Sequence, residues 1–262
     1  MKLAIMVGKY KDIDTYESID AIKKAGFNDL FLPWYNKENI FFMNKVVKYI
    51  KEKNLNIIFL HLAYKHINSI WKKGPFGWLL IEKYKRNISF CKKNNIPMVI
   101  LHLTTGKRVP MYNQLGIKRL KKLVRYAEKS NIKIAFENNR FQGYLEYVFS
   151  NINSKNIGLC FDAGHYHVHF KDKFNFDFFK NNIFAVHLHD NNGSSDQHLY
   201  PFEGTINWEE TLKKLKEAKY EGPITLEILY QKRYSNMSIQ EFYSKSYLVA
   251  EKLSKIYDIF SK

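Results

Sequence analysis

The sequence predicts an α/β chain folded as a (β/α)8 barrel, one domain over residues 1–262. Three observations carry the prediction. Short apolar runs alternate with longer amphipathic segments from end to end. The runs lack polar alternation, as expected of strands covered on both faces. The length of 262 residues suits such a barrel, which typically needs about 250. The chain also lacks the Gly-rich phosphate loop that usually opens a doubly wound sheet; Val7-Gly8-Lys9-Tyr10 stands in its place.

The first strand is read over Leu3–Gly8. Asp14, three residues before Glu17, suggests a capping box opening a helix over Thr15–Gly26. Gly26 occupies the C-terminal cap position. The second strand, Asp29–Pro33, leads to a helix over Glu38–Asn54, with Asn54 again at a cap. Strand Asn56–Leu62 precedes helix Glu82–Asn95, and strand Met98–Leu103 precedes helix Gln114–Asn131. Ile132–Glu137 and Tyr144–Ser150 form the fifth pair. Ile157–Phe161, Ile183–His189 and Ile224–Ile228 are the last three strands. Helices follow at Trp208–Glu221 and from Ser238 to about Asp258. Each helical segment repeats apolar residues every three or four positions, with Lys and Glu on the other face. The longest irregular stretch is Asp190–Asn207, and no Pro/Gly/Ser-rich linker divides the chain.

Composition excludes several classes. Hydrophobic residues make up 45% and charged residues 26%, as in ordinary globular chains. Cys91 and Cys160 are too few for a disulfide framework. No run approaches the roughly 18 apolar residues of a membrane span, and the short N-terminal run resembles no signal peptide. A soluble, cytoplasmic protein with no membrane partner is expected. The formal charge is +17, from 42 Lys+Arg against 25 Asp+Glu. That excess invites nucleic acid as a partner. Only six of the 42 are Arg, however, and phosphate recognition favours the bidentate guanidinium. Codon bias toward Lys explains the excess better than a nucleic-acid footprint does.

A barrel of this kind places its active site at the C-terminal ends of the strands. Reading those ends gives His61, His102, Glu137-Asn138, Asp162-Ala-Gly-His165, His187-Leu-His189-Asp190 and Glu227. The loop after the seventh strand adds Asp196-Gln-His198. Carboxylates are almost never buried unpaired, so a mouth crowded with them calls for divalent metal. The His/Asp/Glu mixture without Cys suits Zn, Mn or a similar ion. His189, Asn138, Trp34 and Lys9 are candidate substrate contacts. Tyr64, Trp71 and Trp78 are further candidates for a pocket wall, and Arg108 for a phosphate.

The set His61, His102, Phe-Glu137-Asn138, Phe-Asp162-Ala-Gly-His165, Val-His187-Leu-His-Asp190, Asp196-Gln-His198, Glu203-Gly204-Thr-Ile-Asn-Trp208 and Leu-Glu227 resembles the xylose isomerase-like TIM-barrel superfamily. That group holds sugar isomerases, ketose epimerases and endonuclease IV-type AP endonucleases. The resemblance covers nearly the whole chain and implies two readings. In the first, Glu137, Asp162, His187 and Glu227 bind one divalent metal (Mn, Co, Mg or Zn). An open-chain sugar or sugar phosphate is then isomerised or epimerised through an enediolate. Glu137 and Glu227 move protons and His165 holds the substrate oxygen. In the second, up to three Zn ions sit in a phosphodiesterase of the AP endonuclease type. There His61, His102 and Glu137 bind one ion, the previous four a second, and His165, Asp196 and His198 the third. Nucleic acid would then be the substrate. Two departures bear on the choice. Strand six ends Asp-Ala-Gly-His where the nucleases have Asp-Thr-Cys/Ser-His. Asn191-Asn192-Gly193 replaces the Arg that ketose 3-epimerases carry after the strand-seven His. The isomerase/epimerase reading is the one adopted; the same resemblance, to a group in which dimers and tetramers are common, leaves a homo-oligomer open.

Overall fold

The computed structural model describes residues 1–8, 13–34, 39–170 and 173–260. Eight parallel strands form the wall: β1 Leu3–Met6, β2 Asp29–Pro33, β3 Asn56–His61, β4 Met98–Leu101, β5 Lys133–Glu137, β6 Ile157–Asp162, β7 Ile183–His187 and β8 Ile224–Leu226. Neighbours follow chain order from β1 to β7, and β8 returns to pair with β1. The seam between β7 and β8 closes at one point. Leu188 pairs with Leu226, Leu188 N–H donates to the Thr225 carbonyl at 2.9 Å, and Glu227 N–H donates to the Leu188 carbonyl at 3.2 Å. The sheet therefore has almost no free edge.

The helices are α1 Thr15–Ala25, α2 Ile40–Glu52, α3 Phe76–Asn94, α4 Gln114–Ser130, α5 Gly143–Asn151, α6 Ala163–His169, α7 Trp208–Glu217 and α8 Ile239–Ile259. Gly26 ends α1 with φ 108°, and its N–H caps the carbonyls of Ile22 and Lys23. Asp14 caps α1 through Tyr16 N–H, without the box to Glu17. The reciprocal box forms at α8, between Ser238 and Glu241. α3 begins six residues before the expected Glu82. Its first turns carry Trp78, Leu79 and Leu80, whose unbroken apolar character hid the helical period. Arg119 anchors that region. Fully buried, it donates to the carbonyls of Ser69, Ile70, Lys72 and Gly74.

The core has two layers. Met6, Phe31, Phe59, Met98, Ile100, Ala135, Cys160 and Ala185 fill the barrel interior. A larger apolar layer lies between strands and helices. Side chains alternate across a strand, so the residue two after an interior one again points inward. Phe59 is followed by His61, Ile100 by His102, Ala135 by Glu137, Cys160 by Asp162, and Ala185 by His187 and His189. The same strands that bury apolar side chains below thus deliver imidazoles and carboxylates to the mouth. No helix among the described residues is long and apolar enough to cross a membrane.

Candidate metal centre

Glu137 lies at the middle of the mouth, 2% exposed. Its Oε2 is 3.0 Å from His61 Nε2, 3.2 Å from His102 Nε2 and 3.4 Å from His187 Nδ1. Its Oε1 is 3.2 Å from His165 Nδ1. Burial pushes this carboxyl up, but the imidazoles of His102 and His187 hold it well below the usual range. Asp162, the last residue of β6, also caps α6 by accepting from His165 N–H at 2.6 Å. Burial raises it; His165 and His189 bring it below the ordinary value. His198 is driven the other way. Burial lowers it, yet Asp196 and Glu227 lift it to about 9.

The mouth cavity measures about 220 Å³ and is lined by Met6, Pro33, His61, Tyr64, His102, Glu137, His165, Asp196, His198, Glu227 and Leu229. Beneath it, His187 stacks on Phe31 with centroids 5.2 Å apart.

Outer contacts fix which ring nitrogen faces the cavity. His61 Nδ1 donates to the Leu62 carbonyl at 3.1 Å, His165 Nδ1 to the Asn138 carbonyl at 2.9 Å, and His198 Nδ1 to the Glu227 carbonyl at 2.8 Å. In its neutral form each ring would turn an Nε2 lone pair inward, the arrangement of metal-ligating histidines. For His61 that lone pair would face Glu137 Oε2 at 3.0 Å, two acceptors in contact. A cation between them, or a second proton on the ring, is needed to relieve it. His102 differs. Asn139 Nδ2 donates to its Nδ1 at 3.1 Å, while Asn139 Oδ1 accepts from Arg140 N–H. His102 Nε2 therefore carries the proton and donates to Glu137.

The donors fit a divalent ion. Four ligands about 2.1 Å from a tetrahedral ion stand about 3.4 Å apart. His187 Nδ1 is 3.4 Å from both Glu137 Oε2 and Glu227 Oε2, and 3.9 Å from Asp162 Oδ2. Both His187 nitrogens are buried and lack a hydrogen-bond partner, which is costly unless something else binds them. Triads with ligand atoms close enough to share an ion are Asp162–His187–Glu227, Glu137–Asp162–His165, His61–Glu137–His187 and His189–Asp196–His198.

The other sequence candidates fall in distinct places. Asn138 is fully buried and exchanges two hydrogen bonds with the Asp162 backbone. It ties β5 to β6 and does not line the cavity. His189 is also buried, with Nε2 3.2 Å from Asp162, and its ring stacks on His198 at 4.0 Å. Trp34 is a correction. It packs edge-on against Phe90 in the layer between strands and helices. Pro33 takes the inward position, so the next residue turns outward. Lys9 lies outside the described residues. His165 Nε2 is 3.3 Å from Asp196, and the mouth groups His189 with Asp196 and His198.

Residues absent from the sequence reading of the site are Asn139, Met6, Pro33 and Leu229. Tyr64, read only as a wall candidate, stacks flat on His102 at 4.4 Å with 2° between planes. Asp190 organises the loop that carries Asp196 and His198. Fully buried, it accepts from Asn191, Phe202 and Ile206 N–H and from Trp208 Nε1. A Cβ at Gly204 would lie 2.2 Å from Asp190 Oδ1, which explains Gly204 in that motif.

A family model described as xylose isomerase-like TIM barrel matches residues 19–245. An inosose isomerase of Halalkalibacterium halodurans is 24% identical over 261 residues, covering 88% of this chain and 90% of that protein. An uncharacterised protein of Methanocaldococcus jannaschii is 40% identical over 119 residues, 41% of either chain. The match thus spans well under half of that relative. Among solved structures, a D-tagatose 3-epimerase-like protein is 23% identical, with TM-score 0.78 over 100% of both chains. The IOLI protein with a bound zinc atom is 17% identical, with TM-score 0.78 over 99% of both. At these identities the structures speak to the fold.

Proposed function

The chain belongs to the xylose isomerase-like TIM barrel family, and from that premise we propose that it is a divalent-metal-dependent isomerase or epimerase of a sugar or sugar phosphate. One observation carries the reading: His187 Nδ1, orphaned and buried, is flanked at 3.4 Å by carboxylates from β5 and from the end of β8. Glu137, Asp162, His187 and Glu227 would hold the ion. When bound, it neutralises the buried carboxylates and polarises a substrate carbonyl.

The residues then divide the work. Glu137 and Glu227 approach from opposite sides of the barrel, so one takes a proton from the carbon beside the carbonyl and the other returns one. His165, fixed by the Asn138 carbonyl, turns Nε2 toward a substrate oxygen. Met6, Pro33 and Leu229 present an apolar wall that limits water around the exchanging carbon. Relatives named as an inosose isomerase and a tagatose 3-epimerase-like protein support the reaction class, and the zinc in IOLI supports a metal.

The test is carbon-bound hydrogen exchange. Metal-stripped protein is reloaded with Mn, Co or Zn and offered a panel of ketoses in D2O. Expected are deuterium at the carbon beside the carbonyl and about one ion per chain by elemental analysis. Glu137→Gln and Glu227→Gln should each abolish the exchange. About three Zn ions with cleavage of an abasic-site duplex would instead favour the phosphodiesterase.

A further inference from the structure

Beside the mouth, a second cleft of about 650 Å³ opens between three loops on the same face of the barrel. Its walls come from the β4–α4 loop (Met111, Tyr112), the β5–α5 loop (Arg140, Phe141), the last residue of α6 (His169) and Lys173 beyond it. We propose that this cleft binds a phosphate monoester at the far end of the substrate, making the enzyme selective for sugar phosphates. The proposal rests on the sugar reading of the mouth and deepens it.

Four observations carry it. The first is position. His169 stands four residues after His165 on α6, one turn of about 5.4 Å, and the two rings are near-parallel with centroids 6.3 Å apart. His165 lines the mouth and His169 lines the cleft, so one layer of imidazole separates them. A substrate with its carbonyl at Glu137 can extend over that layer.

The second is charge. Arg140 is half-buried, and neither it nor Lys173 forms an ion pair with a carboxylate among the described residues. Some other partly buried cations meet carboxylates. Lys214 meets Glu210, and Lys245 meets Glu203. Arg140 and Lys173 instead line the same cleft as His169, whose pKa burial and Arg140 hold down to about 4, so that it enters as a neutral hydrogen-bonding group.

The third is attachment. Arg140 is three residues from Glu137, and its N–H donates to Asn139 Oδ1 at 2.7 Å. Asn139 in turn holds His102, and Asn138 holds Asp162 and His165. The segment that bears the guanidinium is thus built into the metal centre and positioned with it.

The fourth is rigidity of the opposite wall. Tyr144 donates to the Pro110 carbonyl and meets Tyr112 and Trp71 edge-on. Tyr112 also stacks on Tyr147 at 4.4 Å. A preformed cleft binds without paying to order its loops.

The ligand class follows from the donors. A guanidinium offers a planar fork that matches two phosphate oxygens, and an ammonium and an imidazole can serve the third. A phosphate monoester carries about −1.5 to −2 at neutral pH, more than a carboxylate and better matched to two cations beside a neutral imidazole.

The test separates this site from the reading of the mouth. Inorganic phosphate is titrated against the full-length protein by calorimetry, for wild type, Arg140→Gln and a surface control, Arg125→Gln. Fructose and fructose 6-phosphate are titrated in parallel. Arg140→Gln should weaken phosphate binding about tenfold or more, with Arg125→Gln matching wild type and the melting temperature unchanged in both. Fructose 6-phosphate should bind more tightly than fructose, and Arg140→Gln should erase the difference. Absence of phosphate binding, or equal binding in Arg140→Gln and wild type, overturns the cleft. Phosphate binding that depends on Arg140, with neither sugar bound, upholds the anion site and sinks the sugar reading of the mouth.

Discussion

Gly164 gives the most direct handle on how the mouth is assembled. It lies in the first turn of α6, where an ideal Cβ would sit 1.9 Å from His189 Cε1 and 2.5 Å from both ring nitrogens. The His189 ring has little room to yield. It is fully buried, stacked on His198 at 4.0 Å, and held with Nε2 3.2 Å from Asp162. Helix propensity alone would favour Ala over Gly by about 0.5–1 kcal/mol. Overpacking a closed site costs about 1–3 kcal/mol. The steric term wins, and Gly164→Ala should lose about 1–2 kcal/mol net. For a chain of this size that lowers the melting temperature by roughly 2–8 °C. The assay is thermal unfolding of wild type, Gly164→Ala, His189→Ala and the double variant, compared as a cycle. Once His189 is Ala, the added methyl meets space, so Gly164→Ala becomes neutral or stabilising in that background. Equal losses in both backgrounds, or a Gly164→Ala protein as stable as wild type, would refute the steric account. The same reasoning explains why the Cys or Ser of the nuclease motif is replaced by Gly in this chain.

Further outcomes follow from the same contacts. Arg119→Met should lower stability by about 1–3 kcal/mol, because the buried Ile70 carbonyl and the part-buried carbonyls of Ser69, Lys72 and Gly74 lose their shared donor; chemical denaturation measures it. Asp190→Ala should cost about 3–5 kcal/mol and should weaken the proposed divalent-metal binding, since the loop bearing Asp196 and His198 loses its anchor; melting with and without added metal and chelator checks both. Glu203 gives a pH signature. Burial raises its carboxyl, but Lys245 at 2.5 Å and Tyr234 at 2.6 Å hold it below the usual value. A depressed folded pKa stabilises the protein above the ordinary carboxylate range and is lost as pH falls through the folded value. The melting-temperature gap between wild type and Lys245→Met should therefore be full at pH 7 and shrink below about pH 4. A gap that stays constant to low pH would show that Lys245 acts by packing alone.

Strand order, helix alternation and the identity of the mouth residues were legible in the linear chain because their signals are local. An apolar run announces a strand covered on both faces, and period-two alternation then fixes which side chains enter the barrel. His61, His102, Glu137, Asp162 and His187 each stand two residues beyond an interior apolar side chain, so their convergence needed little beyond counting. The start of α3 was less legible, because an apolar first turn has no polar face to mark its period. Trp34 was misplaced for a related reason: with Pro33 as the inward residue, the indole had to turn out toward Phe90.

Other properties came only from the folded chain, since they depend on atoms brought together from distant positions. The sequence offers His61 and His102 as equivalent ligands. The structure makes one an inward lone pair and the other a proton donor, through Leu62 and Asn139. It also turns Gly164 into a requirement of His189, and Asp190 into the anchor of the ligand-bearing loop. Composition gave a basic chain of +17 with no address for the charge. Folding places some cations on surface carboxylates and leaves Arg140 lining a cleft beside the barrel mouth. Alternation along a strand is fixed by backbone geometry, and so is written in the order of residues. Tautomers, orphaned nitrogens and unpaired charges depend on which groups end up in contact, and only the closed barrel decides that.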